Sequence, residues 1–262
     1  MPSRKRARRA PPRGRHPIDH IFEFHNGLRK ELAALKRAAL RLDPDQLAGL
    51  VRAAHEFDGR FNFMHAIYRA HSKSEDEIVF PALEARSTLQ SVSHSYTLDH
   101  ENEDALFGEV CELIKRLRRG AEALVSSPGA EGTAELWELV GELQRKFSGL
   151  ATSLECHVDK EEGELWPLFL AHFSEVDQQD IVGKILGCTG AEALQSTMEW
   201  VAQGLTVEER GNLVDSLRDV SKNTMFADWL AQLGRDPSVK GGTLAEQSLA
   251  QAPGREREEG QR

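Results

Sequence analysis

Two stretches of the sequence carry the same pattern of residues able to hold a cation. His71-Ser-Lys-Ser-Glu75 leads on to Phe80-Pro81, and His157-Val-Asp-Lys-Glu161 leads on to Trp166-Pro167. Each copy is a histidine, a glutamate four residues later, and an aromatic-proline step at the same offset. Four residues rise only ~6 Å along a helix and point the same way, so each pair can present an imidazole and a carboxylate to one point. A lone His-x-x-x-Glu is more often a solvated pair on a helix surface. Here both pairs continue apolar rows: Phe57, Phe61, Met64, His71, Glu75 and Ile78 in one, and Leu150, Leu154, His157, Glu161 and Leu165 or Leu168 in the other. An ionised carboxylate buried without a partner costs on the order of tens of kcal/mol by Born arithmetic, so a core that takes in two calls for a compensating cation.

The two other long apolar rows offer further imidazoles. Of His16, His20 and His25, only His25 continues the row Ile21/Phe22, Leu28, Leu32; His20 lies about 140° round the helix from it. His100 precedes Phe107 and Ile114 on the buried side, with Glu103 and Asp104 within reach, whereas His94 sits at a helix start. Alone, each would be an ordinary core histidine bonded to a neighbouring carbonyl. Beside the repeat they complete a set of four imidazoles and two carboxylates: His25, His71, Glu75, His100, His157 and Glu161. Imidazole plus carboxylate is the ligand set of non-haem iron or manganese, with zinc possible and copper or iron-sulfur disfavoured without thiolates. Two carboxylates able to bridge suit a dinuclear centre, whereas a structural zinc site needs four ligands and usually recruits Cys. Pro81 and Pro167 each remove one helical hydrogen bond and release a carbonyl at Glu77 and Gly163; a plain kink is an equal reading.

Helices must position these residues. The apolar periodicity predicts a first helix over 18–42 and a second from an Asp43-Pro44 N-cap to about Arg86, bent near Asp58-Gly59. A third is predicted from Ser93 to Leu124, including Leu98, and a fourth from Thr133 to Phe173, the two separated by the Ser126-Ser127-Pro128-Gly129 turn. Four such helices with short loops imply an all-α fold, an antiparallel up-down four-helix bundle. Residues 174–234 read as a helical extension packed on the bundle, with Thr206 and Glu209 as a capping box. Trp137, Trp166, Trp200 and Trp229 read as buried packing residues.

The ends differ from the middle. Residues 1–15 hold seven Arg or Lys and no acid, and with the first apolar residues form a basic arm over 1–17. KRARR favours a nuclear-import signal over an organelle transit peptide or a nucleic-acid contact. Residues 235–262 read as a second tail. The chain of 262 residues has a net charge of −9 and no 18-residue apolar window, which speaks for an intracellular protein of nucleus or cytoplasm and against a membrane span. The acidity also argues against nucleic acid as the main ligand of the folded part. Three scattered cysteines, Cys111, Cys156 and Cys188, fit neither a zinc knuckle nor a disulfide framework.

The order His25, His71-x-x-x-Glu75, His100, His157-x-x-x-Glu161 resembles the haemerythrin-like (HHE) family, over roughly Pro17 to Phe173. The strings FEFHNGLRKEL, AHSKSEDEIVFPAL, YTLDHENEDALF and HVDKEEGELWPLF are most similar to the haemerythrin domains of BRUTUS-type iron-regulatory ubiquitin ligases of plants and algae, and EVDQQDIVGKILGCTGAEAL is similar to the helical extension behind such domains. The resemblance implies a four-helix bundle around two iron ions, those six residues as ligands, Glu75 and Glu161 as bridging carboxylates, and dioxygen as a possible further ligand. Oxygen-carrying members have a second histidine four residues after the one on the third helix; Asp104 stands there, which implies sensing rather than oxygen transport. The RING and zinc-finger half of the ligases is absent from this sequence.

Three functions follow. The first is an iron- and oxygen-responsive sensor of iron homeostasis with a protein partner, a ubiquitin-ligase component or regulator, and no catalytic activity of its own. The second is a di-iron oxidase or peroxidase. Ferritin-like enzymes carry Glu-x-x-His, and none of the ten histidines has Glu three residues before it. The third is a metal-free helical adaptor. His55-Glu56 and His100-Glu101 begin a metalloprotease motif, but neither reaches its second histidine.

Overall fold

The computed structural model describes residues 16–127, 130–189, 191–218 and 221; the basic arm and the C-terminal tail, with Trp229, lie outside them. Among the described residues every regular element is helical: α1 (His20–Ala39), α2 (Leu47–Ser74), α3 (Phe80–Glu84), α4 (His94–Ser126), α5 (Ala130–Lys160), α6 (Trp166–His172), α7 (Glu175–Cys188), α8 (Ala191–Gly204) and α9 (Val207–Arg218). The all-α class is the one the periodicity predicts. No helix among the described residues is long and apolar enough to cross a membrane.

The boundaries show where local chemistry overrides a simple pattern. Asp43 does not cap α2: its carboxylate accepts the Asp45 N–H at 3.0 Å and the Gln46 side-chain amide at 2.8 Å. The Gln46 carbonyl takes the first helical bond, from Leu50 N–H at 2.8 Å, so α2 starts at Leu47. The expected bend at Asp58-Gly59 is absent. Gly59 faces open space in an unbroken helix, and Asp58 accepts hydrogen bonds from Arg118 and Asn62. The irregular turns lie instead at Glu75–Val79 and Glu161–Leu165, each a π-helical turn. There Phe80 N–H bonds the Glu75 carbonyl and Trp166 N–H bonds the Glu161 carbonyl, five residues back. The wider turn precedes each proline, whose ring would clash with a carbonyl four residues back in a regular helix. Past the first glutamate Val79 and Phe80 are buried rather than Ile78; past the second the row keeps Leu165, one of its two expected members, and goes on to Phe169 rather than Leu168.

The chain divides into two compact units. One gathers residues up to Arg29, Lys73–Ser95 and the stretch from His157; the other gathers Lys30–Ser72 and Tyr96–Cys156. In the second unit four helical segments run side by side. His55–Glu122, Asp58–Arg118 and Tyr68–Glu103 pair α2 antiparallel to α4. Arg116–Glu142, Glu109–Lys146 and Glu103–Ser153 pair α4 antiparallel to α5. Phe57, Phe61, Phe107 and Phe147 fill its centre, with Phe57 edge-on to Phe147 at 5.6 Å and Phe61 5.5 Å from Phe107. Full burial of such side chains stabilises by roughly 1.5–3 kcal/mol each. Two expected core residues lie outside: Leu98 and Trp137 are each 45% exposed, and the Trp137 indole instead donates to Asp45.

In the first unit the start of α1 meets the Glu161–Leu165 turn, α6 and α8, and the short 3-10 turn Pro17–Asp19 ahead of it meets α7 and α9. Phe22 packs on Trp166 at 4.4 Å and Phe24 on Trp200 at 6.0 Å. A side chain at Gly27 would come within 3.4 Å of the Val201 Cα, so this glycine sets the approach of α8 to α1. The Thr206–Glu209 capping box forms as the sequence predicts, and Ser174 with Asp177 makes a second at the start of α7.

Candidate metal centre

His25 stands on the first part of α1, fully buried, because the row Leu28, Leu32, Leu35 turns that face inward. His157 ends α5, and Glu161 and Glu75 open the two π turns, all three buried. Within the first unit Glu75, His157 and Glu161 offer ligand atoms within 4.8 Å of one another. His157 Nε2 lies 3.1 Å from Glu161 Oε1, and His25 Nε2 lies 3.2 Å from Glu161 Oε2. Donor atoms on opposite sides of one transition-metal ion stand ~4 Å apart, so this spread suits a metal shell.

The two carboxyls have opposite electrostatics. Burial, and next the charge of Glu161, push Glu75 well above the ordinary carboxylate range, against the pull of His157 and His25. Burial alone would raise Glu161 too, but the His157 and His25 rings at hydrogen-bonding distance hold it well below that range. His25 is itself raised: burial would lower it, and Glu161 and Glu162 outweigh burial. Two imidazoles and two facing carboxyls, all out of water, are a donor set that fits a divalent cation, whose charge would relieve the repulsion on Glu75.

The remaining two expected residues belong to the second unit. His100 is buried on α4 and His71 is half-buried near the end of α2, and each ring centroid lies 6.4 Å from that of Tyr68. Asp104 is largely exposed and faces His65 at 3.5 Å and Arg69 at 3.8 Å, so it adds no carboxylate to the interior of that unit. The buried acid on α4 is Glu103, which accepts from Tyr68 and, at 3.1 Å, from Ser153. Of the other histidines, His55 pairs with Glu122 at the surface, and His20 lies against the Pro17 carbonyl at 3.2 Å. The three cysteines are free thiols.

Sequence reasoning missed Tyr68, Glu162 and Arg29. Glu162 Oε1 lies 3.0 Å from His25 Nδ1 and accepts from Arg29 at 2.7 Å. A usable signal existed for one of them: Arg29 stands one helical turn after His25 on the same face.

Buried glutamates that open two π turns, with the buried histidines of α1 and α5 beside them in an all-α chain, make a donor set for a cation in a helical domain, and comparison with known proteins agrees. The chain belongs to the hemerythrin HHE cation binding domain family, whose model matches residues 16–169. It is similar to the zinc finger protein BRUTUS of Arabidopsis thaliana, 40% identical over 231 residues that cover 82% of this chain and 18% of that protein. Two BRUTUS-like zinc finger proteins of the same plant are each 33% identical over 221 and 216 residues, again 82% of this chain and 17% and 16% of theirs. The chain thus spans less than a fifth of the length of these curated relatives. No solved structure matches it.

Proposed function

We propose that this chain is an iron-responsive sensor domain in which His25, His71, Glu75, His100, His157 and Glu161 hold two iron ions. The observation that carries the reading is the pair of buried carboxyls, Glu75 and Glu161, set with His157 and His25 in the first unit of a hemerythrin-family chain. On the family resemblance His71 and His100 would supply further imidazoles to the iron, and Glu75 and Glu161 would be the carboxylates it shares. Bound iron would supply redox chemistry and a place for dioxygen, and the protein's part is to bury the centre and exclude water. Residues 18–173 form the metal-binding domain and 174–234 its extension. The likeness of its sequence strings to the haemerythrin domains of iron-regulatory ubiquitin ligases supports a role in iron homeostasis with a ubiquitin-ligase component as partner, and the basic KRARR run supports the nucleus or cytoplasm.

The coupling of metal to output follows from electrostatics. Metal binding energy is also folding energy, and without a cation the core must accommodate two carboxyls that repel each other. The π turns ahead of Pro81 and Pro167 already depart from regular helical bonding, so local opening is cheapest there. Chain expressed with iron should hold close to two irons. His157→Ala should lose iron and thermal stability together, while His55→Ala and His172→Ala keep both. Limited proteolysis should show cutting at 71–83 and 157–169 only after chelation. Stoichiometric zinc alone from iron-replete cells would overturn the di-iron reading, and identical cutting with and without chelator would remove the sensing mechanism.

One observation favours a second reading. His25 and His157 both face Glu161, so part of this cluster satisfies itself without a cation, as a metal-free adaptor requires. Elemental analysis separates the two: an adaptor holds no stoichiometric metal.

A further inference from the structure

The His25 ring is held on both nitrogens. Nε2 faces Glu161 Oε2 at 3.2 Å, and Nδ1 meets Glu162 Oε1 at 3.0 Å. A carboxylate only accepts, so in the metal-free protein each ring nitrogen can carry a proton toward its carboxylate; a cation on the Glu161 side would take the place of the Nε2 proton and leave the Nδ1–H on Glu162. The same Glu162 oxygen accepts from Arg29 Nη1 at 2.7 Å, and Arg29 Nη2 donates to Asp159 Oδ1 at 2.9 Å. Side-chain exposure falls from 60% at Asp159 to 28% at Arg29, 23% at Glu162 and 0% at His25, so the chain of charges runs from solvent to a dry ring. The local fold explains the placement. Adjacent residues on a helix diverge by about 100°, which lets Glu161 and Glu162, side by side in one π turn, reach opposite nitrogens of one imidazole.

We propose that Glu162, braced by Arg29, is a positioning residue of the metal centre: it holds the ring and the Nδ1–H of His25, so that Nε2 is the nitrogen offered to a cation on the Glu161 side. The inference rests on the metal-binding reading above and adds residues that touch no metal. A carboxylate partner raises the basicity of a ligating imidazole and locks its ring, and losing such a partner typically costs about 10–100-fold in metal affinity. Arg29 acts one step further out, by keeping Glu162 ionised and in place. Asp159, the most exposed member, contributes least.

The test measures ferrous-iron affinity of the full chain by anaerobic competition with a chromophoric chelator. Glu162→Ala should weaken binding about 10–100-fold, Arg29→Met less and Asp159→Asn least, with Arg29→Lys recovering part of the Arg29→Met loss. Adding Glu162→Ala to His25→Ala should cost nothing further, because both act through the same ring. Nitrogen NMR of histidine-labelled protein loaded with zinc should show a slowly exchanging His25 Nδ1–H in wild type that exchanges faster in Glu162→Ala and in Arg29→Met. The Arg29→Met arm keeps the test decisive if Glu162→Ala does not fold. Unchanged iron affinity and proton exchange in helical, folded variants would overturn the positioning role, as would full additivity with His25→Ala. Wild-type chain that takes up neither iron nor zinc would instead sink the metal-binding reading, and this inference with it.

Discussion

The two copies of the His-x-x-x-Glu pattern occupy matching π turns, yet their glutamates differ in kind. Glu161 lies between two imidazoles, His157 and His25, and is stabilised as an anion. Glu75, equally buried, is pushed toward its neutral form by burial and by Glu161 itself. The same five residues of sequence pattern thus yield one carboxyl held as an anion and one pushed toward its neutral form. Burial sets the cost in both, and the partners that other segments bring decide whether it is offset. In the metal-free protein the imidazoles hold Glu161 as an anion, while burial and Glu161 hold Glu75 toward its neutral form.

Exchanging each glutamate for its neutral isostere should break this symmetry most strongly. Glu161→Gln in the metal-free chain leaves two buried imidazoles without their shared anion and should cost about 3–5 kcal/mol. Glu75→Gln mimics the protonated acid and should leave metal-free stability unchanged or raise it. Both variants should bind less iron. Denaturant unfolding in chelator measures the first pair of effects, and equal losses would show that the two carboxyls are electrostatically alike.

A third buried acid sharpens the contrast at smaller amplitude. Glu103 takes its hydrogen bonds from hydroxyls, Tyr68 and Ser153. Tyr68→Phe should therefore destabilise by about 2 kcal/mol, the range for a hydrogen bond to a charged group. A urea titration in which Tyr68→Phe matches wild type would mean that Glu103 is neutral or re-paired.

The smallest effect concerns two histidines on α1. His25 is raised by the carboxylates around it, whereas burial lowers His20 to about 4, with the Pro17 carbonyl and His25 as lesser influences. A base with a depressed folded pKa gives stability that is complete above the unfolded value of 6.5 and is lost as pH falls toward about 4. At pH 5.5 the loss through His20 should be roughly 1 kcal/mol. His20→Gln should flatten the stability profile between pH 6.5 and 5, as read by thermal melts. An unchanged slope would assign the acid sensitivity elsewhere.

Much of this was legible in the chain itself. The apolar rows of three- and four-residue period place the long helices, and the repeated His-x-x-x-Glu with its aromatic-proline step marks the segments that bring Glu75, His157 and Glu161 together. Side-chain direction on a helix is a local consequence of backbone geometry, so a sequence can specify it. Three features were not readable in this way. The π turns left Ile78 and Leu168 only half-buried in favour of Val79, Phe80 and Phe169, because how a helix absorbs a proline depends on what packs around it. Trp137 and Leu98 followed the periodicity and still lie outside the core, since a row becomes a core only where another element covers it. The bond from His25 to Glu162 joins residues 137 apart, and the bond from Arg29 to Glu162 spans 133. By itself the sequence turned His25, His100, His157, Glu75 and Glu161 inward, while His71 is only half-buried and Glu23 and Glu103, which the pattern did not mark, are buried as well. Only the tertiary structure decided which of them meet, and so which glutamate is held as an anion and which is pushed toward its neutral form, because charge stability in a dry interior depends on neighbours that local pattern does not encode.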